Sequence, residues 1–348
     1  MSDFASAARS VFKNGEGEFR SGWRILTFLI LFQIFLIIIG AVVVGFGAVI
    51  SGDYGAALQL LIEPPSTEPV TAQGLVRIVV SRSALLVSAL AASAVCARLL
   101  ERRSFASVGY KLHEGWLKDF SLGNLLGAVT LALAVAVTAA AGAVAFYGRS
   151  SNTATALADA AILFFVFLIA AAFEEVLVRG FIFQALLHNS QVVLGPRGVV
   201  VPIAITSLAF GIMHMFNPNA TLFAVANTVL AGVWLGVAYL KTRSLWLATA
   251  LHTAWNFTMV FVFGLPVSGI TMHKEMALMV GESRPPLWLS GGDYGPEGGA
   301  AATAALIICT IAIIKLRAFR ASEEMLLATR HGSLKRQAGT SPAKPSEA

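Results

Sequence analysis

Residues 160–187 read AAILFFVFLIAAAFEEVLVRGFIFQALL, and this stretch decides the fold. It is longer than the ~20 apolar residues that cross a hydrocarbon core ~30 Å thick. With no water in that core to satisfy backbone groups, such a run is helical. Yet Glu174, Glu175 and Arg179 sit in its second half. A charge at the centre of a bilayer helix costs ~3 kcal/mol on insertion scales, and a buried charge persists only with partners. The rest of the chain is therefore read for groups that could face Glu174 and Glu175.

Outward from that stretch the same character continues. The 348 residues are 57% hydrophobic and 13% charged, with a mean hydropathy of +0.75. A soluble domain is about half apolar and about a quarter charged, so this chain is made for lipid. The net charge of +6 goes with loops flanking membrane spans. No basic cluster is interleaved with aromatics, which argues against a nucleic-acid surface. Cys96 and Cys309 lie in apolar segments and form neither a metal spacing nor a disulfide framework. Met1–Arg24 lacks a short apolar core followed by a small-residue cleavage site, so the first span is read as a retained helix.

Eight spans are expected: Ile25–Ile50, Leu75–Leu100, Ser121–Tyr147, Ala156–His188, Val199–Met215, Ala220–Leu240, Leu245–Leu265 and Ala300–Leu316. The fold class is all-α, a polytopic membrane protein of about eight transmembrane helices around a polar intramembrane cavity. Residues 1–24 form a cytosolic segment, 25–316 the transmembrane domain with its motifs within 156–265, and 317–348 a polar cytosolic tail expected to be mobile. Eight spans place both termini on one side. Of the 25 Lys and Arg, that scheme puts 20 on the side of the termini; only Arg77, Arg82, Arg149, Lys274 and Arg284 fall opposite. The positive-inside rule then gives N-in and C-in.

The intramembrane polar inventory is short. Of 19 acidic residues only Glu174 and Glu175 lie well inside an apolar run; Asp159 stands at a span entrance, and the others are assigned to loops and tails. Among the histidines only His214 and His252 belong to apolar spans, whereas His113, His188, His273 and His331 have polar or boundary surroundings. Glu175 and Arg179 are i, i+4 in the acid-before-base order that favours pairing. Glu174 points ~100° around the helix from Glu175, toward a different neighbour. His252 and Asn256 share one helical face, and Phe210 stands one turn before His214. An acid, two imidazoles and an amide from three helices could activate water and stabilise an oxyanion. Taken singly, each has a plainer reading. Glu175–Arg179 is a buried ion pair, Glu174 a proton-relay acid, and His252 with Asn256 interhelical glue. Asn227 and Arg82 are left as packing or gating residues.

Glu174-Glu175-x-x-x-Arg179, Phe210-x-x-x-His214 and His252-x-x-x-Asn256 together resemble the three ordered motifs of the CPBP intramembrane proteases, which include the type II CAAX prenyl endopeptidases. The resemblance covers residues 160–260. It extends to Gly17-x-Phe19-Arg20-x-Gly22-Trp23-Arg24 and to Gly291-Gly292-x-x-Gly295-Pro296-Glu297-Gly298, which look like bacterial members. It implies an intramembrane endopeptidase in a cytoplasmic membrane. Glu174 would be the base that activates water, and His214 its partner in binding or polarising that water. His252 and Asn256 would form the oxyanion site, with Glu175, Arg179 and Phe210 supporting. The substrate implied is a membrane-associated peptide or protein; a prenylated CAAX protein is the family's best known.

No cofactor is expected to be required. The alternative is one zinc ion on Glu174, His214 and His252 with an open water position, although no His-Glu-x-x-His helix is present. Two other classes remain open: a non-catalytic membrane scaffold of the same family, and a transporter, which would want repeat symmetry and a distributed polar path. One geometric difficulty is apparent. His214 lies near the far end of the fifth span and His252 near the inner start of the seventh. Straight rods would keep them apart, so helices staggered or broken around a water-filled cavity are expected, with Glu174, His214 and His252 converging.

Overall fold

The computed structural model describes residues 12–13, 19–62, 71–148, 155–272 and 274–330. The loop around Glu63–Pro69, Arg149, His273, the tail from His331 and most of the N-terminal segment lie outside the described residues.

Each of the eight expected spans falls on helix. In order these are α1 (Ser21–Ser51), α2 (Ala72–Leu99), α3 (Trp116–Ala140), α4 (Ala156–Glu175), α5 (Phe183–Leu194), α6 (Val200–His214), α7 (Leu222–Thr242), α8 (Leu245–Phe257) and α9 (Ala300–Lys315), with α4 and α5 sharing the fourth span; a short α10 (Glu323–Ala328) follows. Hydroxyl side chains cap several starts: Thr71 accepts from the Gly74 amide, Thr221 from Ala224, Ser244 from Trp246 and Ser322 from Met325. Among the described residues six helical stretches are long and apolar enough to cross a membrane, by length and composition. One of them, Ala156–His214, runs 59 residues and contains α4, α5 and α6. The 16-residue α9 is shorter than these six.

Two expectations need correction. The third span stops at Ala140 rather than Tyr147, because Gly142 takes a left-handed φ of 71° and turns the chain. Residues beyond it form β1 (Val144–Gly148), paired antiparallel with β2 (Met279–Ser283) from Val144↔Ser283 to Gly148↔Met279. Val144, Phe146 and Tyr147 suit a strand once a partner is present. The tail, expected to be mobile, begins with α10, which buries Met325.

The central helix is α8, with 78% of its apolar window buried within the protein against 17% for α1. Its Leu251 and Trp255, with Met259 just past its end, meet Leu131 of α3, Leu163 of α4 and Trp234 of α7 in the main core. Glycines let neighbouring backbones come this close. A Cβ on Gly127 of α3 would stand 2.6 Å from the Leu251 carbonyl oxygen, and one on Gly232 of α7 would stand 2.8 Å from Ser207 Cα of α6. Small residues at interfaces are the usual way apolar helices gain contact when lipid competes equally for their surfaces.

Candidate active site

Glu174 and Glu175 are the last two residues of α4. The winding then widens into a π segment over Val176–Ile182 before α5 resumes. The same happens after His252 and Asn256, where Thr258–Val262 is π-helical. Single π turns re-aim side chains and are frequent at functional sites. The acid pair and the His252–Asn256 pair thus each precede a local break; the expectation concerned the fifth and seventh spans, and only the second of these breaks lies in one of them.

The fully buried Glu175 is the hub. Its Oε1 accepts from Arg179 Nη1 at 2.9 Å and from His252 Nδ1 at 3.2 Å. Arg179, also fully buried, donates from Nη2 to the Gly232 carbonyl oxygen at 3.2 Å and lies 5.1 Å from the Phe210 ring centroid. One ion pair therefore ties α4 to α7 and α8 and supports the ring on α6. Charge-assisted bonds of this kind offset part of the desolvation of both ions, since Glu175 Oε2 and Arg179 Nε are buried without partners.

The companion Glu174 points elsewhere. Its Oε2 lies 3.9 Å from His252 Nε2 and is buried without a hydrogen-bond partner. Glu174, Phe210, His214, His252 and Asn256 all line one cavity of about 320 Å³, whereas Glu175 and Arg179 stand behind it. Because a carboxylate only accepts, the His252 Nδ1 carries its proton toward Glu175 and Nε2 is left for Glu174 and the cavity. His214 Nδ1 is 2.8 Å from the Phe210 carbonyl oxygen. The carbonyl also only accepts, so the neutral ring keeps an open lone pair at Nε2. The Phe210 ring lies 4.5 Å from the His214 ring, tilted by 47°, and meets His252 edge-on at 6.1 Å.

The depth problem is resolved by α6. Its 15 residues rise only about 22 Å at ~1.5 Å each, short of a ~30 Å core. His214, at its end, therefore stops level with the cavity. The space beyond is filled by the loop before α9: Asn217 Nδ2 donates to the Ser268 carbonyl oxygen at 3.0 Å, and Val267, Ser268, Ile270 and Met272 line the cavity.

Glu297 escaped the intramembrane polar inventory, whereas Asn227 and Arg82 were in it without a place at the site. Glu297, assigned to a loop, accepts from Trp255 Nε1 at 3.1 Å, from the Ser268 amide at 2.6 Å and from Ser268 Oγ at 2.8 Å. Asn227, left as packing or gating, donates to the carbonyl oxygens of Glu297 at 2.8 Å and Gly299 at 3.1 Å, and accepts from Thr303 at 2.7 Å. Arg82 also lines the cavity. The available signal for Glu297 was the Gly-rich run around it: Gly291, Gly292 and Gly295 all take positive φ, of 86°, 59° and 97°, and fold the loop back onto α7 and α8. Burial and the nearby Glu297 charge both raise the Tyr294 phenol above its ordinary pKa.

Among the described residues no three His, Cys, Asp or Glu side chains are grouped as a metal ion would need. Glu174, His214 and His252 share the cavity without forming such a set.

Residues 156–258 match the family model described as Type II CAAX prenyl endopeptidase Rce1-like. The match starts with α4 and ends one residue past α8, so it contains Glu174, Glu175, Arg179, Phe210, His214, His252 and Asn256 but neither Arg82 nor Glu297. No curated protein and no solved structure matches the chain. The suspected kinship with the CPBP intramembrane proteases is thereby shown: this is a multi-pass membrane protein whose residues 156–258 belong to the Rce1-like type II CAAX prenyl endopeptidases, a protease family.

Proposed function

We propose that the chain is an intramembrane endopeptidase that hydrolyses a peptide bond with a water activated by Glu174. The observation that carries the reading is the pairing of Glu174 with His252 Nε2 at 3.9 Å on the wall of one cavity shared with His214 and Asn256. Glu174 takes a proton from water while His214 Nε2 accepts that water's other hydrogen bond. The hydroxide oxygen forms a bond to the scissile carbonyl carbon, and the carbonyl electron pair moves onto oxygen. Asn256 Nδ2–H and a protonated His252 Nε2–H stabilise that oxyanion. The C–N bond then breaks as Glu174 hands its proton to the leaving nitrogen. Glu175 and Arg179 hold His252 in place throughout. The reading uses no metal, in keeping with the absence of a grouped set of zinc ligands among the described residues.

The substrate is a membrane-associated peptide or protein, in keeping with the family of the matched segment; a prenylated CAAX protein is the first candidate. The test is cleavage of a farnesylated CAAX peptide and of a pool of membrane peptides by purified protein. Glu174→Gln is expected to lower the rate by about 10²–10⁴-fold, the range for a lost general base, with unfolding unchanged. Cleavage by Glu174→Gln at the wild-type rate would refute the assignment. Activity lost on chelation and restored by zinc would overturn the metal-free mechanism.

A further inference from the structure

A second cavity, of about 310 Å³, lies away from the candidate active site. It is built where the apolar helices end: from Leu187 and Gln191 of α5, Tyr239 near the end of α7, Arg243 just past it, and Thr329 and Arg330 after α10. Its chemistry is the reverse of the first cavity's. Two arginines and His188 line it, and among the described residues no carboxylate does.

Tyr239 supplies the independent observation. The residue is fully buried, its ring packs edge-on to Phe183 at 5.3 Å, and its hydroxyl has no hydrogen-bond partner. Leaving such a donor buried and unmet forfeits the hydrogen bond it made to water, so a group that accepts its proton is expected at the site. The neighbouring amide offers no relief. Gln184 is already committed to Arg103 through its oxygen and to the Ser107 and Gly180 carbonyl oxygens through its nitrogen, at 2.7 and 2.9 Å. The buried carboxylate nearest this network, Glu101, is bonded to Arg103 and lies 3.7 Å from Arg24 Nη1. What the cavity lacks is an acceptor that is also an anion.

We infer that this cavity binds a phosphate group, with Arg243 and Arg330 as its cationic contacts and the Tyr239 hydroxyl as its buried donor. Guanidinium groups suit phosphate oxygens because their forked donors match two of them at once. The position at the helix ends makes the headgroup of an anionic phospholipid the first source, and basic pockets between helices at a membrane face are a known way to hold one. Free phosphate offers the same oxygens and is the second source.

The experiment uses the full chain in detergent and reads bound phosphatidylglycerol by native mass spectrometry, with thermal unfolding measured alongside in inorganic phosphate. Saturable lipid binding is expected, weakened about fivefold by Arg243→Gln and again by Arg330→Gln, at roughly the surface-field contribution of one basic residue each. Tyr239→Phe, which removes only the hydroxyl, is expected to weaken it further. Arg317→Gln, an exposed arginine outside the cavity, is expected to bind like wild type. If phosphate alone raises the unfolding temperature, through the same three residues and without lipid, the source is soluble and the site stands. Binding unaltered in Arg330→Gln and Tyr239→Phe, or no preference for either anion over phosphatidylcholine, overturns it. None of these residues touches the candidate active site, so the outcome does not depend on whether the protein cleaves peptides.

Discussion

At the residue scale, the decisive arrangement is that two adjacent carboxylates have opposite surroundings. Glu175 accepts from Arg179 and His252, whereas Glu174 Oε2 accepts no hydrogen bond, lies 3.9 Å from His252 Nε2 and belongs to the cavity wall. The i, i+4 spacing anticipated the Glu175–Arg179 pair, and the ~100° turn between successive helical residues anticipated that Glu174 would face elsewhere. The hydrogen bond from His252 to Glu175 was not legible, since it joins residues 77 apart in the chain. This hub predicts an asymmetry. Arg179→Met leaves Glu175 charged and buried, which should destabilise by about 3–5 kcal/mol. Glu175→Leu/Arg179→Met removes both charges and should recover most of that loss while remaining poorly active, because His252 loses its orienting acceptor. Chemical unfolding in mild detergent measures the first effect and peptide cleavage the second. Equal stability of Arg179→Met and wild type would mean that the pair carries no structural weight.

At the scale of elements, what matters is how short or interrupted helices meet. The sequence pattern made the helices themselves plain, because apolar runs of this length have few other solutions. It did not make plain the π segments, which keep helical periodicity nearly intact, or β1 and β2, whose ladder sets Tyr147 opposite Val280 from a distant part of the chain. Close approach of α6 and α7 is tested by Gly232→Ala. Its new Cβ would press on Ser207 Cα at 2.8 Å and move the carbonyl that receives Arg179, so a loss of about 1–3 kcal/mol is expected. Gly45→Ala in α1, where nothing lies within 4 Å, should instead gain about 0.5–1 kcal/mol from helix preference alone. Thermal unfolding of the two variants must move in opposite directions.

The loop before α9 is the second such case. Glu297 gathers Trp255, the Ser268 amide and Ser268 Oγ, and so closes the cavity from a segment that composition alone marks only as Gly- and Pro-rich. Glu297→Ala should release the loop, shift and quench indole fluorescence as Trp255 meets water, and lower cleavage more than stability. An unchanged emission spectrum would show that the loop is held by other contacts.

For the whole molecule, the argument concerns which ends of the helices lie together. β1 follows α3 and pairs with β2, which precedes α9, so those connections share one end. Asn227, at the start of α7, joins that end through Glu297 and Gly299. At the other end Ser21 Oγ donates to the Ala185 carbonyl oxygen at 2.8 Å, Trp246 Nε1 to Lys111 at 3.0 Å, and Lys241 Nζ to Ile314 at 2.5 Å, while Lys111 pairs with Glu324 at 3.2 Å. These contacts gather the start of α1 and the ends of α7 and α9 at one end of the molecule. They do not by themselves say which end faces the cytosol, and that is where charge enters. With 20 of 25 basic residues on the side of the termini, that side is expected to face the cytosol. Because Cys96 and Cys309 are buried, the native chain serves as a quiet background for single added thiols. Glu282→Cys on β2 should react with a membrane-impermeant maleimide on intact cells, and Arg320→Cys only in inverted vesicles. Were the two patterns exchanged, the charge count would have misjudged orientation, and the phosphate-binding cavity beside α10 would belong to the opposite leaflet.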